Sequence, residues 1–326
     1  MILGLVEHVD REVDPLSLEM LTFGRRLAAA TGAPLHAVLV GDVTRDAAEQ
    51  LRAYGVTAAH GVEHPRLDVY APEAWAESVV QLIAALGPQA VIAAGSDRGN
   101  EVMAHVAARS DLPLAANCTA AEPGEPYLVT RVRWGGSLLE DAHLDGSVKL
   151  LTVAPHGVAA EEAADRDEVE VTTFAPELSD EVFRVQVTAR SEPESERVSL
   201  PTARVVVGGG RGLGSAEAFA DLDELADLLG GAVGCSRAVT SLGWRPHSDQ
   251  IGQTGTRIAP DLYIACGISG AIQHMVGCKG AKRVLVINTD QHAPIVGRAD
   301  YAVIGDAREV VPAVIAELRK VRSEAT

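Results

Sequence analysis

The chain has 326 residues, 47% of them apolar and only 4% aromatic, which suits about two domains with sizeable aliphatic cores. Its four cysteines, at 118, 235, 266 and 278, form no CxxC pair; they exclude a zinc ribbon and read as reduced thiols of a cytoplasmic protein. The formal charge of −17 lies wholly in residues 1–199, where 15 Lys+Arg stand against 32 Asp+Glu, while residues 200–326 hold 13 of each; this argues against nucleic-acid binding and reads as a solubilising surface.

In chain order, Ile2–Val6 reads as a strand. Glu7 and His8 follow it at once, so it is not expected to be a signal peptide. Pro15–Thr31 reads as a helix stopped by Gly32, Leu35–Val40 as a strand and Arg45–Tyr54 as a helix. Pro72–Leu86 reads as a helix with Gly87-Pro88 past its end. Ala90–Ala94 is a buried strand, and a helix runs from Asp97 to about Ser110. This alternation predicts a parallel sheet with helices on both faces. From about residue 126, Tyr127–Arg133, Ser147–Val153, Val169–Phe174 and Phe183–Thr188 are β-prone runs, expected as antiparallel additions to the same domain. Arg190–Pro201 is polar, carries two prolines and lacks periodicity; it is the expected linker, with a domain boundary at 195.

The second part, 196–326, offers five short strands: Val205–Val207, Ala232–Cys235, Leu262–Cys266, Val284–Ile287 and Tyr301–Ile304. Helical patterns fit Ala216–Leu229, Gly270–Gly277 and Val310–Val321. Both domains are therefore expected to be α/β, each with a mostly parallel sheet flanked by helices, the second doubly wound. No apolar run approaches bilayer length, so no direct membrane insertion is expected.

After each strand of the second part comes a small or polar group. These are Gly208–Arg211, Ser236-Arg237, Gly267–Gly270, Asn288 and Asp306. In an open parallel sheet, ligands lie outside the carboxyl ends of the strands, so the five groups should converge there. Gly267-Ile268-Ser269-Gly270 lies between a strand and a helix, where backbone N–H groups favour phosphate or another anion. VVVGGGRGLGS (205–215) fails the dinucleotide fingerprint, because Leu213 or Ser215 stands where a third glycine is required. Arg211 and Arg237 remain available to a phosphate or a ring. His274 ends the short helical stretch after the glycine loop, the other nine histidines are scattered, and no HExxH, Walker A or nucleophile-elbow pattern is present.

Five segments resemble the alpha subunit of the electron transfer flavoproteins: GGRGL (209–213), GCSR (234–237), IGQTG (251–255), GISGAIQH (267–274) and VINTD (286–290). With the later Ala299-Asp300-Tyr301 and Asp306, which fit as well, they span about 100 residues. The resemblance implies FAD in the second domain and a heterodimer with a smaller beta subunit. Its FAD contacts fall on Arg211, Ser236, Arg237, Ile251, Gly252, Gln253, Thr254, Ser269, Gly270, Ala271, Ile272, Gln273, His274, Asn288, Asp306 and Ala307. By the same resemblance, His274 lies at the flavin N1–C2=O2 edge, Arg237 against the ring and Thr254 near N5. Ser269 and the glycine N–H groups hold pyrophosphate, and Asn288 and Asp306 lie toward the ribose and adenine.

The implied activity is electron carriage from flavin dehydrogenases, such as acyl-CoA dehydrogenases, toward a quinone reductase. An electron-bifurcating complex using NADH, an NAD-dependent oxidoreductase and a non-redox nucleotide-binding scaffold are the alternatives. The first domain departs from the family at Trp134-Gly135-Gly136-Ser137, and at Ala154, where arginine is typical. Those departures bear on docking rather than on the FAD site.

Overall fold

The computed structural model describes residues 1–9, 12–41, 44–164, 168–189 and 198–324. The chain divides into two compact units, Met1–Ser191 and Glu192–Thr326. Most of the expected linker, residues 190–197, lies outside the described residues, as does the expected boundary at 195.

The first unit begins β1 (Ile2–Leu5), a short antiparallel ribbon of β2 (His8–Val9) and β3 (Glu12–Val13), then α1 (Pro15–Thr31). The α1 boundaries follow from local chemistry. The Asp14 side chain accepts from the Leu16 N–H, Pro15 needs no partner at the first position, and Gly32 adopts φ 64° at the stop. There follow β4 (Leu35–Val40), α2 (Thr44–Ala53), β5 (Ala58–Val62), α3 (Pro72–Leu86), β6 (Ala90–Ala94) and α4 (Asp97–Ser110). The unit continues with β7 (Leu114–Glu122), β8 (Tyr127–Arg133), β9 (Leu138–Leu144), β10 (Lys149–Val153) and β11 (Glu170–Phe174).

Nine strands form one sheet in the order β11-β5-β4-β1-β6-β10-β7-β8-β9. Every pairing from β11 to β7 is parallel, and β8 and β9 add antiparallel strands at one edge. Strand side chains alternate between two cores, one shared with α1 and α2 and the other with α3 and α4.

Three expectations for residues 126–188 need correction. The segment 147–153 is not an antiparallel addition: β10 is parallel and inserted between β6 and β7. Its five residues are all buried, Lys149 and Thr152 included, as befits a strand covered on both faces of a parallel sheet. The segment 169–174 is also parallel, beside β5 at the opposite edge. Phe183–Thr188 is no strand. Asp180–Phe183 forms a 3-10 turn, and Val182 and Phe183 are buried in the α3/α4 core, which accounts for their hydrophobicity.

The second unit contains β12 (Val205–Gly209), α5 (Phe219–Leu229), β13 (Ala232–Cys235), α6 (Arg237–Ser241) and β14 (Leu262–Cys266). It closes with α7 (Ile272–Gly277), β15 (Val284–Asn288), β16 (Tyr301–Ile304) and α8 (Ala307–Glu324). The five strands are parallel in the order β13-β12-β14-β15-β16. The chain leaves β12 in one direction to β13 and returns to β14 on the other side. A crevice therefore opens at the carboxyl ends there, as in other doubly wound sheets. Val207, Ile264, Cys266 and Ile287 face α5 and α8, while Val206, Tyr263, Ala265 and Val286 face the opposite core with Ile251, Ile258 and Cys278.

Candidate cofactor site

At the carboxyl edge of the second sheet, the loops after β12 and β14 are joined backbone to backbone. The Gly210 N–H donates to the Cys266 carbonyl at 2.8 Å, and the Gly212 N–H to the Gly267 carbonyl at 3.0 Å. A Cβ on Gly210 would lie 2.1 Å from the Gly267 oxygen, so any larger residue would push the loops apart. On the other side, the loop 250–256 is tied to the sheet and to α7. The Ile251 N–H donates to the Cys235 carbonyl at 2.8 Å, and the Gln253 N–H to the Gln273 carbonyl at 2.7 Å. Gly252 adopts φ 147°, and a Cβ on Gly277 would lie 2.3 Å from the Gly252 nitrogen.

Between these loops lies a cavity of about 220 Å³. Of the residues expected at the site, it is lined by Ser236, Arg237, Ile251, Gly252, Gln253, Thr254, Ser269, Gly270, Ala271, Gln273 and His274. Its size suits one ring system rather than a whole dinucleotide. Ile251 contributes backbone here, because its side chain is buried beneath Gly234.

Five expected residues stand away from this cavity. Arg211 is exposed in a 3-10 turn after β12, and Ile272 is 75% exposed at the start of α7. Asn288 ends β15 buried; its amide donates to the Ile268 carbonyl at 2.8 Å, and its side-chain oxygen accepts from the Asp290 N–H at 3.0 Å. It thus braces the glycine loop. Asp306 holds the Arg308 guanidinium, and that side chain together with the Arg308 N–H draws its carboxyl down to about 2. Ala307 is packed with the α5/α8 core.

Of the residues absent from the sequence expectation, Ala238 and Ile268 also line the cavity, and two others add polar contacts. Gln250 lines the cavity and is buried. Its side-chain oxygen accepts from the Thr240 hydroxyl at 2.8 Å, and its amide donates to the Thr254 hydroxyl oxygen at 3.0 Å. A lone glutamine between Asp249 and Ile251 has no spacing that would reveal this. The second is Tyr263, inside an otherwise aliphatic strand, whose hydroxyl lies 2.8 Å from His274 Nε2. The His274 ring is buried, and burial pulls its imidazole down to about 4, with the Ile251 backbone acting the other way. Its Nδ1 makes no hydrogen bond of normal geometry among the described residues, although the Ile251 backbone is near enough to favour a proton on the ring.

The arrangement offers a ring-sized slot with a guanidinium, three hydroxyl residues and a neutral imidazole on its walls, next to a glycine loop. A buried polar atom on the wall without a regular partner, in a slot enclosed by glycine loops packed backbone to backbone, is the feature of a site shaped for a bound group. Among the described residues, no cluster of three or more His, Cys, Asp or Glu could hold a metal ion, and no helix is long and apolar enough to cross a membrane.

Comparison with known proteins gives the same direction. Residues 2–178 match the family described as electron transfer flavoprotein domain, and residues 199–279 the electron transfer flavoprotein FAD-binding domain. The sequence is 33% identical over 310 residues to an electron transfer flavoprotein subunit alpha of Thermoanaerobacterium thermosaccharolyticum, covering 94% of each chain. It is 36% identical over 321 residues to a protein FixB of Bradyrhizobium diazoefficiens, covering 96% of this chain and 87% of that one. An electron transfer flavoprotein subunit alpha of Bacillus subtilis is 31% identical over 320 residues, covering 98% of this chain and 97% of its own.

Proposed function

The chain belongs to the electron transfer flavoprotein alpha-subunit family and carries its FAD-binding domain, and from that premise we propose that it is the FAD-holding subunit of a two-subunit electron carrier. A smaller beta subunit completes the carrier. Residues 1–195 supply the subunit interface and residues 196–326 hold FAD. Electrons arrive from flavin dehydrogenases, such as acyl-CoA dehydrogenases of fatty acid oxidation, and leave toward a quinone reductase, in the cytoplasm. The chain makes and breaks no substrate bond by itself.

The observation that carries this reading is the convergence of Ser236-Arg237, Ile251–Thr254 and Ser269–His274 on one ring-sized slot. FAD supplies reversible electron uptake at its ring, with negative charge developing along the N1–C2=O2 edge. With FAD bound, His274 would serve that edge as a neutral donor, and the Arg237 cation on the slot wall would favour the reduced form. Thr254 receives the Gln250 amide on its oxygen, so its hydroxyl proton would be free for the flavin. Ser269, Gly270 and Ala271 offer backbone and hydroxyl donors to pyrophosphate. Arg211, Ile272, Asn288, Asp306 and Ala307 serve the rest of the nucleotide beyond the slot.

The test is electron delivery to the purified two-subunit complex from an acyl-CoA dehydrogenase and, separately, from NADH. Rapid bleaching of the flavin by the dehydrogenase alone supports the simple carrier. Reduction by NADH, with two flavins in each heterodimer, would replace it with a bifurcating complex.

A further inference from the structure

The contact between Tyr263 and His274 has a chemical direction. Tyr263 is the second residue of β14 and has no exposed surface; it lies between Val206 of β12 and Val284 of β15. Its hydroxyl reaches His274 Nε2 at 2.8 Å, with the two rings tilted by 32°. Room for the end of the tyrosine ring comes from Gly208, where a Cβ would lie 2.4 Å from the Tyr263 oxygen and 2.7 Å from its Cε2. In a hydrogen bond between a phenol and a neutral imidazole, the phenol is the stronger acid and the ring nitrogen the stronger base. The O–H therefore donates, and the other ring nitrogen must carry the proton.

We propose that Tyr263 is a positioning residue that fixes the tautomer of His274, holding Nε2 as an acceptor and the ring proton on Nδ1.

Three observations support the assignment. Nδ1 makes no hydrogen bond of normal geometry among the described residues, although the ring lines the cavity wall. The Ile251 backbone favours a proton on the ring. The other titratable groups that act on Tyr263 are the thiols of Cys235, Cys266 and Cys278, all raised by burial to about 11 or 12 and therefore neutral. Among the described residues, no charged group contributes to the shift of Tyr263 or of His274. The consequence for electron carriage rests on the FAD reading above. A ring locked with Nδ1–H gives a hydrogen-bond donor of fixed polarity, strengthened by the phenol behind it.

The experiment is long-range proton–nitrogen NMR of the imidazoles in the full chain with its natural partner. His274 is assigned by difference against His274→Gln, and the measurement is repeated for Tyr263→Phe. In the unaltered protein, Nε2 should show the shift of an unprotonated, hydrogen-bonded nitrogen and Nδ1 that of an N–H. In Tyr263→Phe, which keeps the ring packing, the two signals should move toward each other and the flavin potential should fall. A protonated Nε2 in the unaltered protein would overturn the proposal, as would identical His274 shifts in the two proteins. FAD content is read on the same samples. The expected shifts in a complex without FAD would sink the FAD reading and leave the tautomer assignment standing.

Discussion

Gly210 and Gly267 lie so close that a Cβ on the first would reach within 2.1 Å of the carbonyl oxygen of the second. The approach joins the two loops at the point where the strand order reverses, and it fixes one wall of the slot. Gly210→Ala should cost about 1–3 kcal/mol in stability, the usual range for overpacking a tight site. FAD retention should fall with it, because the obstruction is backbone rather than a flexible side chain. Thermal unfolding and flavin content, measured on the same preparation, check this. Full flavin content at unchanged melting temperature would mean that the loops can part freely.

Arg237 and His274 face the same slot from opposite elements, α6 and α7. Each contributes an interaction of about 1.5–3 kcal/mol if it favours the reduced flavin. Arg237→Ala should then lower the two-electron potential by roughly 30–60 mV, at about 30 mV per 1.4 kcal/mol. His274→Ala should also lower it. Potentiometric titration of the complex is the measurement, and two unchanged potentials would remove both tuning roles.

Much of this was legible in the sequence where local rules decide the outcome. The bounds of α1 and α3, with a proline at each start and glycine at each stop, match the expectation residue for residue. So do β13, β14 and β16, and the glycine loops after β12 and β14 fall where five strand-end groups were expected to converge. What escaped was set by long-range pairing. The burial of β10 between β6 and β7 is decided by a partner 59 residues earlier in the chain, Ala90 against Lys149, and nothing within KLLTV specifies its direction. The strands β5, β7 and β9 were missed: AAHGV and LAANCTAAE are rich in Ala and LLEDAHL carries charge, compositions with weak strand preference. At the site, Gln250 and Tyr263 were invisible because their roles depend on tertiary neighbours at Thr254 and His274.

Gln250 links Thr240 on α6 to Thr254 on the slot wall. Gln250→Leu should leave both hydroxyls without their buried partner and destabilise the protein by about 1–3 kcal/mol. It should also free Thr254 to turn, so the flavin absorption spectrum should shift even where FAD is retained. Chemical denaturation and visible spectra decide this. An unchanged spectrum with lowered stability would confine Gln250 to a packing role.

Acid sensitivity should trace partly to His274. Its imidazole falls from an ordinary 6.5 to about 4 in the folded chain. The unfolded state therefore binds more protons between those values, and stability is lost as pH falls from about 6.5 through 4. A drop of that size corresponds to about 3 kcal/mol. His274→Gln should flatten the stability profile in this window and leave neutral pH little altered. Urea denaturation from pH 4 to 7 measures it, and parallel profiles would assign the acid sensitivity to other groups, His36 and His60 first, since burial lowers both.

Glu7 behaves with the opposite sign. It is buried at the end of β1 beside Ser96, the N-cap of α4, and burial raises its carboxyl above the usual range. The folded state therefore holds the Glu7 proton more tightly than the unfolded state, and the penalty appears as pH rises through its raised pKa. Glu7→Gln should raise the melting temperature at pH 7 and change it little at pH 4. A lower melting temperature at pH 7 would mean that the ionised carboxylate is held favourably at the start of α4.

The measurement that bears most directly on the central claim is the identity of the small molecules released from the chain after co-purification with its natural partner subunit. Mass spectrometry of the denatured complex should find FAD, with the absorption of one flavin for each heterodimer. NAD without flavin, or a folded complex that releases no nucleotide, would contradict the account and leave the glycine loops, the slot and His274 in need of another ligand.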